Sequence, residues 1–383
     1  MKILITSDLY TTATNGVVTS ARNLFEELKR RGHDVRLLTL SDRMKSHKDG
    51  DVTYIRSMPI GVYPNVRMPL SYRHKLIQEL IEWKPDVIHS QCEFFSFQYA
   101  LRISKRTGAP ILHTYHTMYE DYATYVIPSE RLGRYLVKVL SKKRLKRARV
   151  VVVPTHKVED TLHGYGMENE ICVVPSGISL EQHKIRLSHE ERMKKRRELG
   201  IRDDQMVLIN LGRLGNEKNL DEVISYFKDA TEEIENLVLL IVGDGPARSD
   251  LEKLVEEKGL TDRVIFTGMV QPSQVHIYYQ LGDIFVSSST SETQGLTYIE
   301  AAANGLPLLC RQDPCLDEVM ERGENGFSYT NEEEFLAAIR AMAEDTEWLL
   351  AAKKKSEEHA APFDKEVFGA AIEDLYATVL REE

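Results

Sequence analysis

The sequence predicts two doubly wound α/β domains, each a parallel sheet with helices on its faces. Short β-rich apolar runs alternate with helical patterns along both halves of the 383 residues, the signature of βαβ units. That length holds two or three hydrophobic cores. The run Ile171-Cys172-Val173-Val174-Pro175-Ser176-Gly177 closes the first alternating series before a second begins. The domains are accordingly placed at 1–176 and 177–363, with a hinge near Ser176.

Lys2–Ser7 reads as a strand and Val18–Arg31 as a helix ended by Gly32, which tolerates the left-handed conformation after a helix. Val35–Leu40 is a strand, followed by a polar stretch to Asp51 and a short run at Val52–Ile55. Leu70–Trp83 is helical and stops before Pro85. Asp86–His89, Pro110–Tyr115 and Val150–Val153 read as buried strands, with helices at Phe95–Arg106 and Leu132–Ala148 between them. A charged helix, His189–Leu199, then leads to strands at Met206–Leu211, Val238–Val242, Val264–Thr267, Ile284–Val286 and Leu306–Leu309. Helices fall between these strands, and more follow from Glu332 to the end.

No apolar run approaches the ~20 residues that span a bilayer, and no signal peptide precedes the first strand, so a cytoplasmic protein is expected. Cys92, Cys172, Cys310 and Cys315 form no C-x-x-C pair; three of them sit in or beside apolar runs, where a buried thiol is expected, and neither a disulfide nor a zinc site is. Residues 1–180 carry 27 Lys and Arg against 18 Asp and Glu, a balance of +9. The remainder carries 23 against 41, a balance of −18, so the first half is the one suited to an anionic partner.

The stretch Ser291-Glu292-Thr293-Gln294-Gly295-Leu296-Thr297-Tyr298-Ile299-Glu300-Ala301 follows a strand-like run and enters an Ala-rich helix ending near Asn304-Gly305. A helix N-terminus after a strand offers free N–H groups and the positive dipole end to an anion. Gly295 lets a ligand approach the backbone, Thr297 adds a hydroxyl, and Glu292 and Glu300 bracket the turn. N–H donors beside carboxylates suit a ligand bearing both phosphate and hydroxyls, such as a nucleotide sugar. A capped helix with Glu300 facing solvent is the alternative.

Ligands of such sheets bind off the carboxyl ends of the strands. There, Asn210-Leu211-Gly212-Arg213-Leu214-Gly215-Asn216-Glu217-Lys218-Asn219 sets an Arg and a Lys in one Gly-bearing loop, a fork and a point charge for a diphosphate. Val242-Gly243-Asp244-Gly245-Pro246 is a tight strand-to-helix turn, and Phe266-Thr267-Gly268-Met269 ends another strand at the same edge. Each alone reads more readily as an ordinary turn; together on one edge they point to a site. Asp49-x-Asp51 reads as a solvated loop, and His113 with His116 lacks a third zinc ligand. Glu292 and Glu300 also fit a glycosidase pair, against which the phosphate clamp beside them argues.

The order Gly-Arg-x-x-x-x-Lys, Gly-Asp-Gly-Pro, Phe-x-Gly, Glu-x₇-Glu resembles the retaining glycosyltransferases of family 4 over nearly the whole chain. Thr14-Asn15-Gly16-Val17-Val18, Thr114-Tyr115-His116-Thr117 and Pro175-Ser176-Gly177-Ile178 extend the likeness. The resemblance implies the GT-B architecture, two Rossmann-like domains facing a cleft, with a C-terminal helix (364–383) crossing back to the N-terminal domain. It gives Arg213 and Lys218 the donor diphosphate, Glu292 the sugar hydroxyls, and Glu300 the ribose. Gln294, Gly295 and Leu296 would offer backbone N–H groups, Gly16 would let the first loop close over the diphosphate, and His116 would contact the transferred sugar. Gly212, Gly243, Gly245, Met269 and Thr297 complete the implied donor-binding set. The segment Gln312-Asp313-Pro314-Cys315-Leu316-Asp317-Glu318 departs from the Gly-Gly loop of many members and looks like the variant of bacterial glycolipid synthases.

Arg131–Arg149 holds nine Lys and Arg in nineteen residues and no acid. Leu132, Leu136, Val139 and Leu140 recur at helical spacing, making a basic amphipathic helix that suits a membrane surface. Arg131, Arg134, Lys138, Lys142, Lys143, Arg144, Lys146 and Arg147 are the expected membrane contacts; a helix packing its apolar face on the sheet is the alternative. Tyr135 is the lone aromatic inside it, which argues against a nucleic acid partner. Glu93-Phe94-Phe95-Ser96-Phe97 reads as core. Within the family the sequence is most similar to bacterial 1,2-diacylglycerol 3-glucosyltransferases. This implies transfer of glucose from UDP-glucose to diacylglycerol at the inner membrane face, with no required metal or cofactor. The rival expectations are a soluble or polysaccharide acceptor and a non-catalytic nucleotide-sugar-binding protein.

Overall fold

The computed structural model describes residues 1–10, 15–60, 67–120 and 129–382; Thr14 and Tyr125 lie outside them. It divides into two compact units, Met1–Ile178 with Phe363–Glu383, and Ser179–Pro362.

The first unit is built on strands β1 (Lys2–Thr6), β2 (Asp34–Ser41), β3 (His47–Asp49), β4 (Val52–Pro59), β5 (Arg67–Pro69), β6 (Val87–Ser90), β7 (Ile111–Thr114), β8 (Val150–Val153) and β9 (Glu170–Val173). Their order is β3-β4-β2-β1-β6-β7-β8-β9, with β5 attached to β4. Pairing is parallel except where β3 and β5 meet β4. Ile3, Leu4, Ile5 and all four valines of β8 are fully buried, as strands covered by helices on both faces must be. The helix Gly16–Arg30 starts on Asn15, whose side chain accepts the Val18 N–H at 2.8 Å. Its Leu24, Phe25 and Leu28 share a core with Phe368, Ile372, Tyr376 and Val379 of the last helix, Lys365–Arg381. That shared apolar face is why the C-terminal helix joins the first unit.

Several sequence expectations need correction here. Asp49 ends a strand rather than lying in a loop, and Asp51 pairs with Lys29 at 2.6 Å. The helix expected from Leu70 begins at Lys75, because the chain just before Leu70 pairs with β4. Gly16 is the first residue of a helix, not part of a loop. Ser176 itself belongs to the first unit: Ser20 Oγ donates to its hydroxyl at 3.0 Å, and Asn23 Nδ2 donates to the Gly177 carbonyl at 2.8 Å. The chain leaves the first unit after Ile178, whose N–H and carbonyl pair with Phe363 and Lys365 at 2.8 Å each. Cys92 and Cys172 are half-buried, not core thiols like Cys310 and Cys315.

The second unit carries β10 (Met206–Leu211), β11 (Leu237–Val242), β12 (Val264–Gly268), β13 (Ile284–Ser287), β14 (Leu308–Arg311) and β15 (Gly326–Tyr329) in the order β12-β11-β10-β13-β14-β15. All pairs are parallel. Succession along the sheet runs outward from β10 in one direction and from β13 in the other. The crevice between the carboxyl ends of β10 and β13 is therefore the switch point where such sheets hold ligands. In the first sheet the equivalent point lies between β1 and β6.

Candidate active site

The two loops that leave the switch point of the second sheet are stitched together. After β13, Ser288 Oγ donates to the Lys218 carbonyl at 3.1 Å and also reaches the Asn219 carbonyl. Ser291 Oγ donates to the Glu217 carbonyl at 3.2 Å. Asn219 sits in the left-handed region (φ 49°), and its side-chain amide donates to the Ser288 carbonyl at 3.3 Å. These bonds bring Lys218 Nζ onto Glu292 Oε1 across 74 residues of sequence. Arg213 is tied within its own loop to Glu217. A lysine carries three N–H donors and an arginine five, so both bring several donors to this edge of the sheet.

The loop after β11 closes the same edge. Leu214 N–H donates to the Asp244 carbonyl and Ala247 N–H to the Leu214 carbonyl, each at 3.0 Å, and Gly243 N–H donates to the Gly268 carbonyl at 3.0 Å. Gly243 has φ +140°, and a Cβ there would run into the Gly212 carbonyl, so these strand ends meet only as glycines. Met269, beside Gly268, is 82 % exposed and open to a ligand at this rim.

Gly295, at φ +72°, turns the chain into the helix Leu296–Ala303. Any side chain there would strike the Tyr298 ring. Gln294 and Gly295 are buried, whereas Leu296 and Thr297 are half-buried at the helix start. Glu300 is half-buried and hydrogen-bonded rather than simply solvent-facing. Tyr279 Oη donates to its Oε2 at 2.8 Å, and burial pushes the carboxyl up to about 7 against the lowering effect of that bond. Behind it, Asn304 Nδ2 donates to the Glu300 carbonyl at 2.8 Å and to His183 Nδ1 at 2.7 Å.

Arg213, Lys218, Glu292 and Glu300 thus share one unit, and His116 belongs to the other. His116 follows β7, with Nε2 2.8 Å from Gln91 Oε1. Burial pushes its pKa down to about 4, with the Glu93 charge opposing and His113 adding, so it is neutral at pH 7. Next to it His113 Nε2 lies 3.1 Å from Glu93 Oε1, and the Tyr119 hydroxyl donates to the other oxygen. Sequence reading missed Gln91, Tyr279 and Glu217. Gln91 had a signal: it follows β6, the neighbour of β7, at the same sheet edge.

The helix Glu130–Leu145 is turned differently from its expected alternative. Leu132, Tyr135, Val139 and Leu140 are exposed, Tyr135 at 62 % and Leu140 at 53 %, while Leu136 is half-buried, so most of the apolar stripe is open among the described residues. Gly133, Ser141 and Leu145 make the buried side instead. Arg131, Arg134, Lys142, Lys143, Lys146 and Arg147 are exposed; Lys138 is exposed too, with Nζ 3.0 Å from the Gly164 carbonyl. Arg144 is half-buried, and its Nη1 donates to the Glu93 carbonyl at 2.5 Å and to the Phe94 carbonyl at 3.2 Å. Phe94, expected in the core, is exposed beneath that guanidinium, 5.8 Å from ring centroid to Cζ.

Two family models match the chain: Glycosyltransferase Family 4 over residues 14–182 and Glycosyl transferases group 1 over 191–359. An alpha-monoglucosyldiacylglycerol synthase of Streptococcus pneumoniae is 34 % identical over 341 residues, covering 88 % of this chain and 77 % of its own length. The alpha-monoglucosyldiacylglycerol synthase of Acholeplasma laidlawii is 32 % identical over 391 residues, covering 99 % and 98 %. Among solved structures, Anabaena HepE in complex with UDP and glucose superposes with a TM-score of 0.78 at 16 % identity, over 99 % of this chain and 100 % of its own; this likeness is one of fold.

Proposed function

This chain belongs to glycosyltransferase family 4, and from that premise we propose that it moves glucose from UDP-glucose to 1,2-diacylglycerol with retention at the anomeric carbon. Its glycosyltransferase activity follows from the family; the donor, stereochemistry and lipid acceptor are our reading. The observation that carries it is the Lys218–Glu292 pair at the switch point, one turn before the helix bearing Glu300. The pair sets a phosphate donor beside a hydroxyl acceptor, as a nucleotide sugar requires. The acceptor hydroxyl attacks the anomeric carbon as the bond to the diphosphate breaks, and its proton passes to a phosphate oxygen of the departing UDP. Arg213 and Lys218 neutralise the charge that grows on that diphosphate. Glu292 orients the sugar and Glu300 the ribose. His116, being neutral, offers a hydrogen bond rather than a charge. We assign no metal or cofactor to the step.

The lipid acceptor is supported by the names of the two relatives and by the exposed apolar stripe on Glu130–Leu145 among basic residues. Among the described residues no helix is long and apolar enough to cross a membrane, so we propose peripheral contact with the anionic inner face. The test is UDP release from UDP-glucose with and without diacylglycerol in micelles containing an anionic phospholipid, in EDTA, with the product anomer assigned by NMR. Lipid-dependent release of an α-glucosyl lipid is expected. Release indifferent to diacylglycerol, or a product formed only with a soluble acceptor, would sink the lipid reading.

Glu300 gives a pH signature. As the carboxylate it accepts ribose hydroxyls on both oxygens and more strongly than as the acid, so UDP affinity is expected to rise with pH through about 7, the value to which burial lifts it. Tyr279→Phe removes the bond that favours the charged form, so this rise moves to higher pH. The variant is expected to bind UDP several-fold more weakly than wild type at neutral pH and to converge with it in alkali. Calorimetric titrations of both proteins across the neutral range check this; superimposable pH profiles would refute it.

A further inference from the structure

The antiparallel ribbon of β4 and β5 carries apolar side chains on its outer face. Met58 and Met68 face each other across it, and each is 39 % exposed. Alternation places Arg56 and Leu70 on the same outward side, and both are exposed. The inward side buries Ile55 and Pro69 together with polar groups: Ser57 Oγ donates to the Ser41 carbonyl at 2.6 Å, and Arg67 Nε donates to Ser57 Oγ at 2.8 Å. The outer face of a ribbon on a soluble surface is ordinarily polar. Met44, also exposed, joins the patch, and Met44, Lys45, Arg56, Leu70 and His74 help line a shallow groove of about 380 Å³. Arg43, Lys45, Arg56 and Arg73 are exposed around it; the same stretch of chain carries the exposed acids Asp42, Asp49 and Asp51, the last paired with Lys29.

The patch continues toward the basic helix. Tyr72, two residues past Leu70, packs on Tyr99 with centroids 4.8 Å apart, and Tyr99 Oη donates to the Ser71 carbonyl at 2.7 Å. The Arg144 charge acts on the Tyr72 hydroxyl, and Arg144 itself holds the Phe94 carbonyl.

We propose that the outer face of this ribbon is a second bilayer contact, placing Met58, Met68 and Leu70 among acyl chains while Lys45, Arg56 and Arg73 meet anionic headgroups. The inference rests on the membrane reading above and adds an element to it. Charge complementarity selects the occupant: an apolar centre ringed by cations matches an anionic leaflet. Unbranched, polarisable methionines suit a fluid partner of no fixed shape.

The test is sedimentation with phosphatidylcholine vesicles, with and without phosphatidylglycerol. M58E/M68E is expected to lose at least about tenfold in partitioning onto the anionic vesicles, while M58L/M68L keeps it. The thermal midpoint and turnover of a detergent-dispersed acceptor should stay at wild-type values. If M58E/M68E binds like wild type while L132E/L140E on the helix releases the protein, the ribbon inference is overturned and the membrane reading survives. If neither variant changes binding, both fall. Should M58E/M68E dissociate a self-associated form without affecting vesicles, the face joins copies of the chain and the inference fails. M58W supplies a readout independent of the charge change: it should show brominated-lipid quenching beyond that of the two native tryptophans, and no extra quenching counts against the proposal.

Discussion

Lys218→Ala is expected to lower kcat by about 10²–10³-fold, the usual cost of removing one preorganised donor from a site where charge develops. The effect should fall on kcat more than on the donor KM, because the diphosphate gains charge as its bond to the sugar breaks. Lys218 also holds Glu292, whose side chain is 18 % exposed, so the variant leaves that carboxylate without this partner and disturbs the sugar-binding side as well. Lys218→Arg separates the two roles. It restores a cation and a bond to Glu292 but not the compact ammonium, so partial recovery of kcat is expected. Steady-state kinetics on all three proteins, with UDP binding measured in parallel, decide the matter. A kcat for Lys218→Ala within a few-fold of wild type would remove this lysine from the chemistry.

The second large effect concerns the basic helix. Lys142, Lys143, Lys146 and Arg147 are exposed, and each contributes about 1 kcal/mol near an anionic leaflet. Replacing all four with glutamine should weaken vesicle binding by about 4 kcal/mol, roughly three orders of magnitude. Salt should narrow the gap between variant and wild type, since screening removes the same attraction. Arg144 is left out because it holds two backbone carbonyls of the first unit; Arg144→Gln should lower the thermal midpoint instead. Vesicle sedimentation at low and high salt checks the prediction, and equal binding of both proteins would remove the helix from the interface.

Elements legible in the sequence were those whose signal is local. The four valines of β8 and the six apolar residues of β11 announce strands covered on both faces. Edge elements were not legible. His47–Asp49 and Arg67–Pro69 are short and carry no apolar alternation; they are strands because β4 lies beside them. Gly326–Tyr329 opens on a glycine and was missed for a similar reason.

The site divides along the same line. By itself the sequence determined the chemistry available: an Arg and a Lys in one loop, two carboxylates around a helix start, glycines where backbone must approach backbone. These follow from residue type and chain chirality, which act over a few residues. Tertiary structure decided which of these groups meet. Strand order brings the loops after β10 and β13 together, joining Lys218 to Glu292 over 74 residues and Tyr279 to Glu300 over 21. It also decided between the two readings of Glu130–Leu145: among the described residues Leu132, Val139 and Leu140 of the apolar stripe are exposed rather than packed on the sheet. A periodicity records which side of a helix is apolar; what covers that side depends on neighbours that only the folded chain supplies.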